Sequence, residues 1–310
     1  KELSLKNYSM KDSDNYYFDL ISLIWEKKFT VIISTISFSL LAVLLSFSQN
    51  ILFESKAILK ARDSNETNSQ NFGALGGLSN LVGVDIATED NKRLNYSLAV
   101  LKSRDFFELF YKDEKFLVNL HAVNGFKEDY SSKINPSVYD SEKKIWKKTF
   151  RNGENYPGFE ESYEYFHERV LRVQLDKKTN FFHFSVETPN PKLSKSLLEK
   201  IIIELNNYVR QIELNESKNS VNYLEEYLSQ NTNSIELRES VSKLLENEIK
   251  TQMYANIQAE YLLEQIEKPR MISEKSNPKR SIWLIFGFVL GLIASFGMII
   301  YGKVISRPKP

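Results

Sequence analysis

Uncharged apolar positions are gathered near the two ends of this chain, over residues 29–53 and 281–302, and mixed polar sequence fills the length between them. A hydrocarbon layer about 30 Å thick is crossed by about 20 helical residues at about 1.5 Å each, so either run is long enough to span it. The second run carries Trp283, Leu284, Phe286, Phe288, Leu290 and Ile293 with no polar stripe, which argues against a surface helix. For the first run the competing reading is a cleavable leader with Ser46 and Ser48 as a small-x-small site. The length of the run and the acidic Asp12, Asp14, Asp19 and Glu26 before it weigh against that reading. Trp25, Trp283 and Tyr301 sit near the ends of the runs, where amphipathic rings favour the membrane interface.

The pattern therefore predicts a membrane hairpin with five parts. They are an N-terminal segment 1–28, a first span 29–50, a central domain 51–280, a second span 281–302 and a tail 303–310. Lys27 and Lys28 outside the first span, and Lys303, Arg307 and Lys309 outside the second, lean toward cytoplasmic termini; Lys275, Lys279 and Arg280 on the other side oppose them.

Within the central domain the period changes several times. Ala57, Leu59 and Ala61 alternate with Lys56, Ile58, Lys60 and Arg62, the pattern of a short half-buried strand with Ile58 the exception. A polar stretch at 63–71 and a glycine-studded run at 73–83 follow, and helical spacing then recurs over 89–110. Residues 116–166 read as short helices and loops interrupted by Pro136 and Pro157. Leu171, Val173, Leu175 and then Phe182, Phe184, Val186 alternate around a polar turn at 177–180, which predicts a hairpin with one buried face.

Asn190 and Pro191 have the chemistry of a helix start, a side-chain cap followed by proline in the first turn. From Leu193 to Ile266 there is neither Pro nor Gly, which as one helix would measure about 110 Å. The polar run 229–234 predicts a break, and helical spacing is expected to resume and continue to Ile266, giving long helices over about 191–267. Leu198, Ile201, Leu205, Leu244 and Ile249 are the candidate packing positions of this coiled-coil-like arm or of an oligomer seam. In the second span Gly287 and Gly291 form a Gly-x-x-x-Gly step, the candidate site of transmembrane helix packing.

Composition narrows the chemistry. The 310 residues contain no cysteine, so thiol catalysis and cysteine metal sites are excluded. A net charge of +1, from 41 basic and 40 acidic residues, offers no nucleic-acid surface. His121, His167 and His183 are scattered, phosphate-loop and dinucleotide fingerprints are missing, and Glu160, Glu161 and Glu164 read as a solvated face. No catalytic residue, cofactor or metal is expected.

Several short segments resemble one family. They are Asp19-Leu-Ile-Ser-Leu-Ile-Trp-Glu-Lys-Lys28, Phe53-Glu-Ser-Lys-Ala-Ile-Leu59, the glycine run 73–83, Leu101-Lys-Ser-Arg104, Pro191-Lys-Leu-Ser-Lys-Ser-Leu-Leu198 and Asn277-Pro-Lys-Arg280. Their order between two terminal spans resembles the polysaccharide co-polymerases, the Wzz-type chain length determinants of bacterial inner membranes. The resemblance implies a membrane α+β protein whose two transmembrane helices flank a periplasmic α/β domain with a long extended helical arm. It also implies a homo-oligomer without enzymatic activity that sets the length of O-antigen or a related lipopolysaccharide glycan. The implied partners are the membrane, a membrane-embedded polymerase and the growing glycan. Relatives with a tyrosine kinase after the second span suggest an alternative, an export-complex adaptor for capsule or exopolysaccharide working with a separate kinase or outer-membrane channel. No kinase is expected in residues 303–310. A sensing receptor is a third reading, disfavoured because the segments outside the spans are too short for an output domain.

Overall fold

The computed structural model describes residues 25, 27–62, 89–230 and 234–305. The polar stretch 63–71, the glycine run 73–83 and most of the N-terminal segment lie outside the described residues, as do 231–233 in the expected break. The chain forms two compact units, Leu52–Ser276 and the pair of segments Lys1–Ile51 and Asn277–Pro310.

The smaller unit is a helical hairpin of α1 (Lys28–Phe47) and, at the far end of the chain, α8 (Arg280–Ile305). Both are long and apolar enough to cross a membrane. Their outer faces expose Ile33, Leu40, Ile285 and Ile293, an arrangement that water would not reward and hydrocarbon does.

The larger unit is built on an antiparallel sheet. Strand β1 (Leu52–Ala61) is followed by α2 (Glu89–Leu101), α3 (Arg104–Tyr111) and α4 (Glu114–His121). Two small hairpins come next, β2 (Val123–Phe126) with β3 (Ser132–Ile134) and β4 (Tyr139–Asp140) with β5 (Ile145–Trp146). Helix α5 (Phe159–Tyr165) runs through a π turn at Phe166–Val170 into β6 (Leu171–Asp176), β7 (Phe181–Thr188) and the helical pair α6 (Pro191–Gln230) and α7 (Ile235–Ile257). Strands β8 (Leu263–Glu267) and β9 (Lys275–Asn277) complete the unit.

The sheet order is β6-β7-β1-β8, with β9 also against β1. In β1 the alternation works as the pattern requires: Phe53, Ser55, Ala57, Leu59 and Ala61 are buried while Lys56 and Lys60 face water. The register sets Ala57 opposite Phe184 and Leu59 opposite Phe182, so large rings cover small residues across the strand pair. Leu198, Ile201 and Leu205 of α6 belong to the same core, together with a ring cluster of Phe106, Phe107, Phe110, Phe116 and Phe166. Phe107 alone meets Phe116, Phe159, Tyr163 and Phe166 with ring centroids 5.4–6.0 Å apart.

Two expectations need correction. The helix expected to reach Ile266 stops at Ile257, where Gln258 turns extended, and Leu263–Glu267 is a strand. The physical reason is tertiary: β1 has an edge that needs a partner, and Leu59 and Lys60 pair there with Gln265 and Glu264. Residues 116–166 hold the two hairpins as well as helices. Turn chemistry explains this in part, since Asp140 Oδ1 accepts from the Glu142 and Lys143 N–H groups at 3.2 and 3.1 Å.

Candidate functional site

In the helical hairpin the chemistry is close approach. Glycines in α8 leave no side chain to hold α1 away. A Cβ added at Gly287 would stand 2.7 Å from Ala42 Cβ and 2.8 Å from the Phe38 carbonyl oxygen. One added at Gly291 would stand 2.6 Å from Thr35 Cα. Ser34 Oγ donates to the Gly291 carbonyl at 3.3 Å, a bond between helices that only such proximity permits. Arg280, which opens α8, lies over the ring of Phe47, which ends α1, 4.2 Å from its centroid. The helices are therefore antiparallel, and Trp25 and Tyr301 lie toward the same end of the pair.

In the larger unit the helical arm has two parts. Through Ser217, α6 is buried on one side; Leu198, Ile201 and Leu205 are fully enclosed. Beyond it the helix is mostly exposed and pairs with α7. Ser217 Oγ donates to the Glu248 carbonyl at 2.9 Å and Arg210 Nη1 to the Gln258 carbonyl at 3.5 Å, so these helices also run antiparallel. Val241, Thr251 and Ala255 are the buried positions of α7. Leu244 and Ile249 are 51% and 49% exposed, and Met253 and Ile257 continue the exposed apolar face from Ile249 at four-residue spacing.

The base of the arm is tied by polar groups. Asn190 Oδ1 accepts from the Lys192 N–H at 2.9 Å, capping α6, while its Nδ2 donates to the Tyr130 carbonyl at 2.9 Å. Ser194 Oγ, fully buried, donates to the Phe53 carbonyl at 2.7 Å and so fixes the helix on β1. Asn206 is buried between α6 and β8 and bonds the backbone at Leu262 and Leu263. Ser194 and Asn206 are polar positions of the scaffold that sequence reasoning missed. Their signal was a small polar residue repeating on the apolar face of a helix.

The scattered titratable residues have structural partners. Glu160 receives a two-pronged bond from Arg104 at 2.9 and 3.1 Å, which holds its carboxyl below the usual range; Glu164 pairs with Arg151 at 2.7 Å. Glu161 accepts from the Arg151 backbone N–H at 2.7 Å. His183 is exposed on β7. His167 sets its ring nitrogens 3.0 and 3.1 Å from the Tyr163 and Leu101 carbonyls. His121 lies between Phe150 and Tyr165, with Nε2 3.0 Å from the buried Ser162 Oγ. Burial pushes its imidazole down to about 4, against the opposing pull of the Glu161 carboxylate. Among the described residues no three acidic or histidine side chains gather as a metal site would require.

The Leu101-Lys-Ser-Arg104 segment joins these elements. Leu101 is buried, the Lys102 carbonyl accepts from Tyr163 Oη at 2.6 Å, Ser103 Oγ caps α3 through the Phe106 N–H at 3.1 Å, and Arg104 holds Glu160. It is one of the segments that carry the family resemblance, and it lies inside residues 18–114, which match the family model described as Wzz, chain length determinant protein. The resemblance is to Wzz. The Wzz match runs from ahead of α1 through β1, α2 and α3 to the start of α4.

Among solved structures, a full-length bacterial polysaccharide co-polymerase is similar at 13% identity and TM-score 0.37, covering 94% of this chain and 99% of its own. A fragment of WzzB, a polysaccharide co-polymerase from Salmonella Typhimurium, is similar at 12% identity and TM-score 0.33, covering 73% of this chain and 100% of its own. No curated protein matches the chain.

Proposed function

We propose that this chain is a non-enzymatic regulator of polysaccharide chain length in the bacterial inner membrane. In this reading residues 29–50 and 281–302 cross the membrane, 51–280 form the periplasmic domain, and the terminal segments 1–28 and 303–310 are cytoplasmic. Copies of the chain assemble into a homo-oligomer, which works beside a membrane-embedded polymerase extending O-antigen or a related lipopolysaccharide glycan. The observation that carries this is the Wzz match over residues 18–114, continuous with a first apolar helix and answered by a second at the far end of the chain.

The geometry supports a role exercised by shape. Glu160 and Glu164 are engaged in ion pairs, Glu161 accepts from a backbone N–H, and His121 is turned inward against Ser162. The exposed apolar face of α7 offers surface for contact between copies, and the glycine face of α8 fixes the hairpin that anchors each copy.

Deleting the gene and resolving the cell's surface glycan on a gel tests the proposal. Loss of the preferred chain length, restored by the intact gene, is the expected result. A ladder unchanged by deletion refutes length control, and loss of all exported capsule with an unchanged lipopolysaccharide ladder would favour an export adaptor instead.

A further inference from the structure

A chain that is nearly neutral as a whole concentrates five cations in nine positions. Lys143, Lys144, Lys147, Lys148 and Arg151 fall within residues 143–151, where there is no carboxylate. They lie on and just after the β4–β5 hairpin, and all five are exposed. Lys144 holds the turn at a positive φ of 52°. Two of the five are matched: Lys147 with Asp140 at 2.9 Å and Arg151 with Glu164 at 2.7 Å. Lys143, Lys144 and Lys148 form no ion pair with a carboxylate among the described residues, and the Lys148 ammonium lies 5.1 Å from the Phe150 ring centroid.

The ground beneath these lysines is stiff. Trp146 is buried against Tyr139 and Phe150, at 4.9 and 5.5 Å between ring centroids, so the hairpin holds its cations on a packed aromatic base. Tyr156 stands edge-on to Trp146 at 6.2 Å and is 39% exposed. Around it lie hydroxyl, amide and carboxylate groups: Thr149 Oγ1 bonds Asn155 Oδ1 at 2.9 Å, and Asn152 Nδ2 bonds the Tyr156 carbonyl at 3.3 Å and Glu154 Oε2 at 3.4 Å.

This combination selects among polyanions. A membrane surface would call for a contiguous apolar face beside the cations, and on the hairpin Ile145 is the exposed aliphatic side chain. A partly exposed phenol ring with hydroxyl and amide neighbours suits a sugar ring, which stacks by its C–H face and bonds by its hydroxyls. Unpaired ammonium groups suit carboxylates repeated along a polymer.

We propose that the β4–β5 hairpin and the following Lys147–Arg151 segment bind an acidic polysaccharide. Carboxylates of its uronic acid units are held by Lys143, Lys144 and Lys148, with a sugar ring against Tyr156. This inference rests on the glycan reading above and narrows it to a charged glycan and a named surface.

The test uses the full chain in detergent, with polygalacturonate as the acidic probe and dextran as the neutral one, in affinity electrophoresis. Polygalacturonate retards the protein and dextran does not. The Lys143→Glu, Lys144→Glu, Lys148→Glu variant weakens retardation at least about tenfold, as does raising salt from about 50 to about 500 mM, whereas the triple Lys→Arg variant keeps it. Tyr156→Ala weakens it several-fold, whereas Tyr156→Phe, which keeps the ring, retains it. Absence of binding, equal binding of dextran, or full binding by the Glu variant overturns the inference. So does binding to phosphatidylglycerol vesicles, but not to polygalacturonate, through the same lysines. The deletion ladder is independent of these lysines: a ladder that shifts on deletion while polygalacturonate fails to bind leaves length control standing and removes only this site.

Discussion

The side chain of Asn206 pairs with the backbone of Leu263 as a neighbouring strand would, its Oδ1 accepting from the N–H at 2.9 Å and its Nδ2 donating to the carbonyl at 3.2 Å. The same Oδ1 accepts from the Leu262 N–H at 2.7 Å. One residue on α6 thus satisfies the start of β8, in a place that water does not reach.

Asn206→Leu fills the same volume and leaves three buried backbone groups without that partner. Losing them is worth about 2–4 kcal/mol, a fall of about 5–10 °C in the melting temperature of the larger unit. Thermal unfolding of the detergent-extracted protein checks this, and a variant as stable as the parent would show that β8 is held by its pairing with β1 alone.

That contact also marks where sequence patterns stop informing. β1 was legible because Lys56 and Lys60 alternate with Ala57, Leu59 and Ala61, a local signal. The start of α6 was legible because Asn190 and Pro191 have cap chemistry whatever lies beyond them. β8 was not legible. Leu262, Leu263 and Ile266 also fit a helical period with no Gly or Pro to break it, and the deciding partner, β1, lies some 200 positions earlier. Likewise Leu244 and Leu198 look alike as leucines in a periodic run, yet one is half exposed and the other enclosed. Gly287 and Gly291 announced a close approach but not against what; Ala42 and Thr35 come from the opposite end of the chain.

The glycine face invites a distance measurement. Native cysteine is absent, so spin labels at Ile36 and Phe288 would be the sole labels on a chain carrying cysteine there. Gly291→Val places side-chain carbon against the Thr35 backbone, which has no flexible end to yield. The label separation is expected to lengthen by about 1–2 Å relative to the labelled parent, and Gly297→Val, in open space, is expected to leave it unchanged. Equal distances in all three proteins would remove the packing role of Gly291.

Acid should loosen the larger unit through His121. In the folded chain burial depresses its imidazole to about 4, whereas unfolded it titrates near the ordinary 6.5. Between those two values the unfolded state binds more protons, so stability is complete above about pH 6.5 and declines as pH falls toward about 4. The contribution is on the order of 3 kcal/mol. His121→Gln keeps a polar partner for Ser162 and cannot titrate there; its melting temperature should fall less steeply with acid than the parent's.

The antiparallel hairpin makes a prediction about sidedness. Trp25 and Tyr301 lie toward one end of the pair, and Phe47 and Arg280 meet at the other. Cysteines placed at Trp25 and Tyr301 should react with a membrane-impermeant reagent only after the inner membrane is opened, and one at Lys144 or Ile257 should react in intact spheroplasts. Labelling of Trp25 and Tyr301 from opposite sides would exclude a two-span hairpin.

Core and arm surface should separate in mutants. Ile201 is wholly enclosed in the core of the larger unit, so Ile201→Ala leaves a cavity worth about 2–5 kcal/mol and lowers the melting temperature whatever the assembly state. Ile249 is about half exposed, on a face of α7 continued by Met253 and Ile257. Changing Ile249 to Asp removes little that the single chain buries, so its own stability should move by less than about 1 kcal/mol. If copies meet through that face, Ile249→Asp together with Met253→Asp places carboxylates in an apolar contact and should shrink the particle seen by light scattering in detergent. The same double variant should shift the glycan ladder, while Glu239→Gln, on an exposed surface pair with Lys243, should change neither. Particles of unchanged mass from a folded double variant would move the assembly surface off α7 and leave the glycine-packed hairpin as the next place to look.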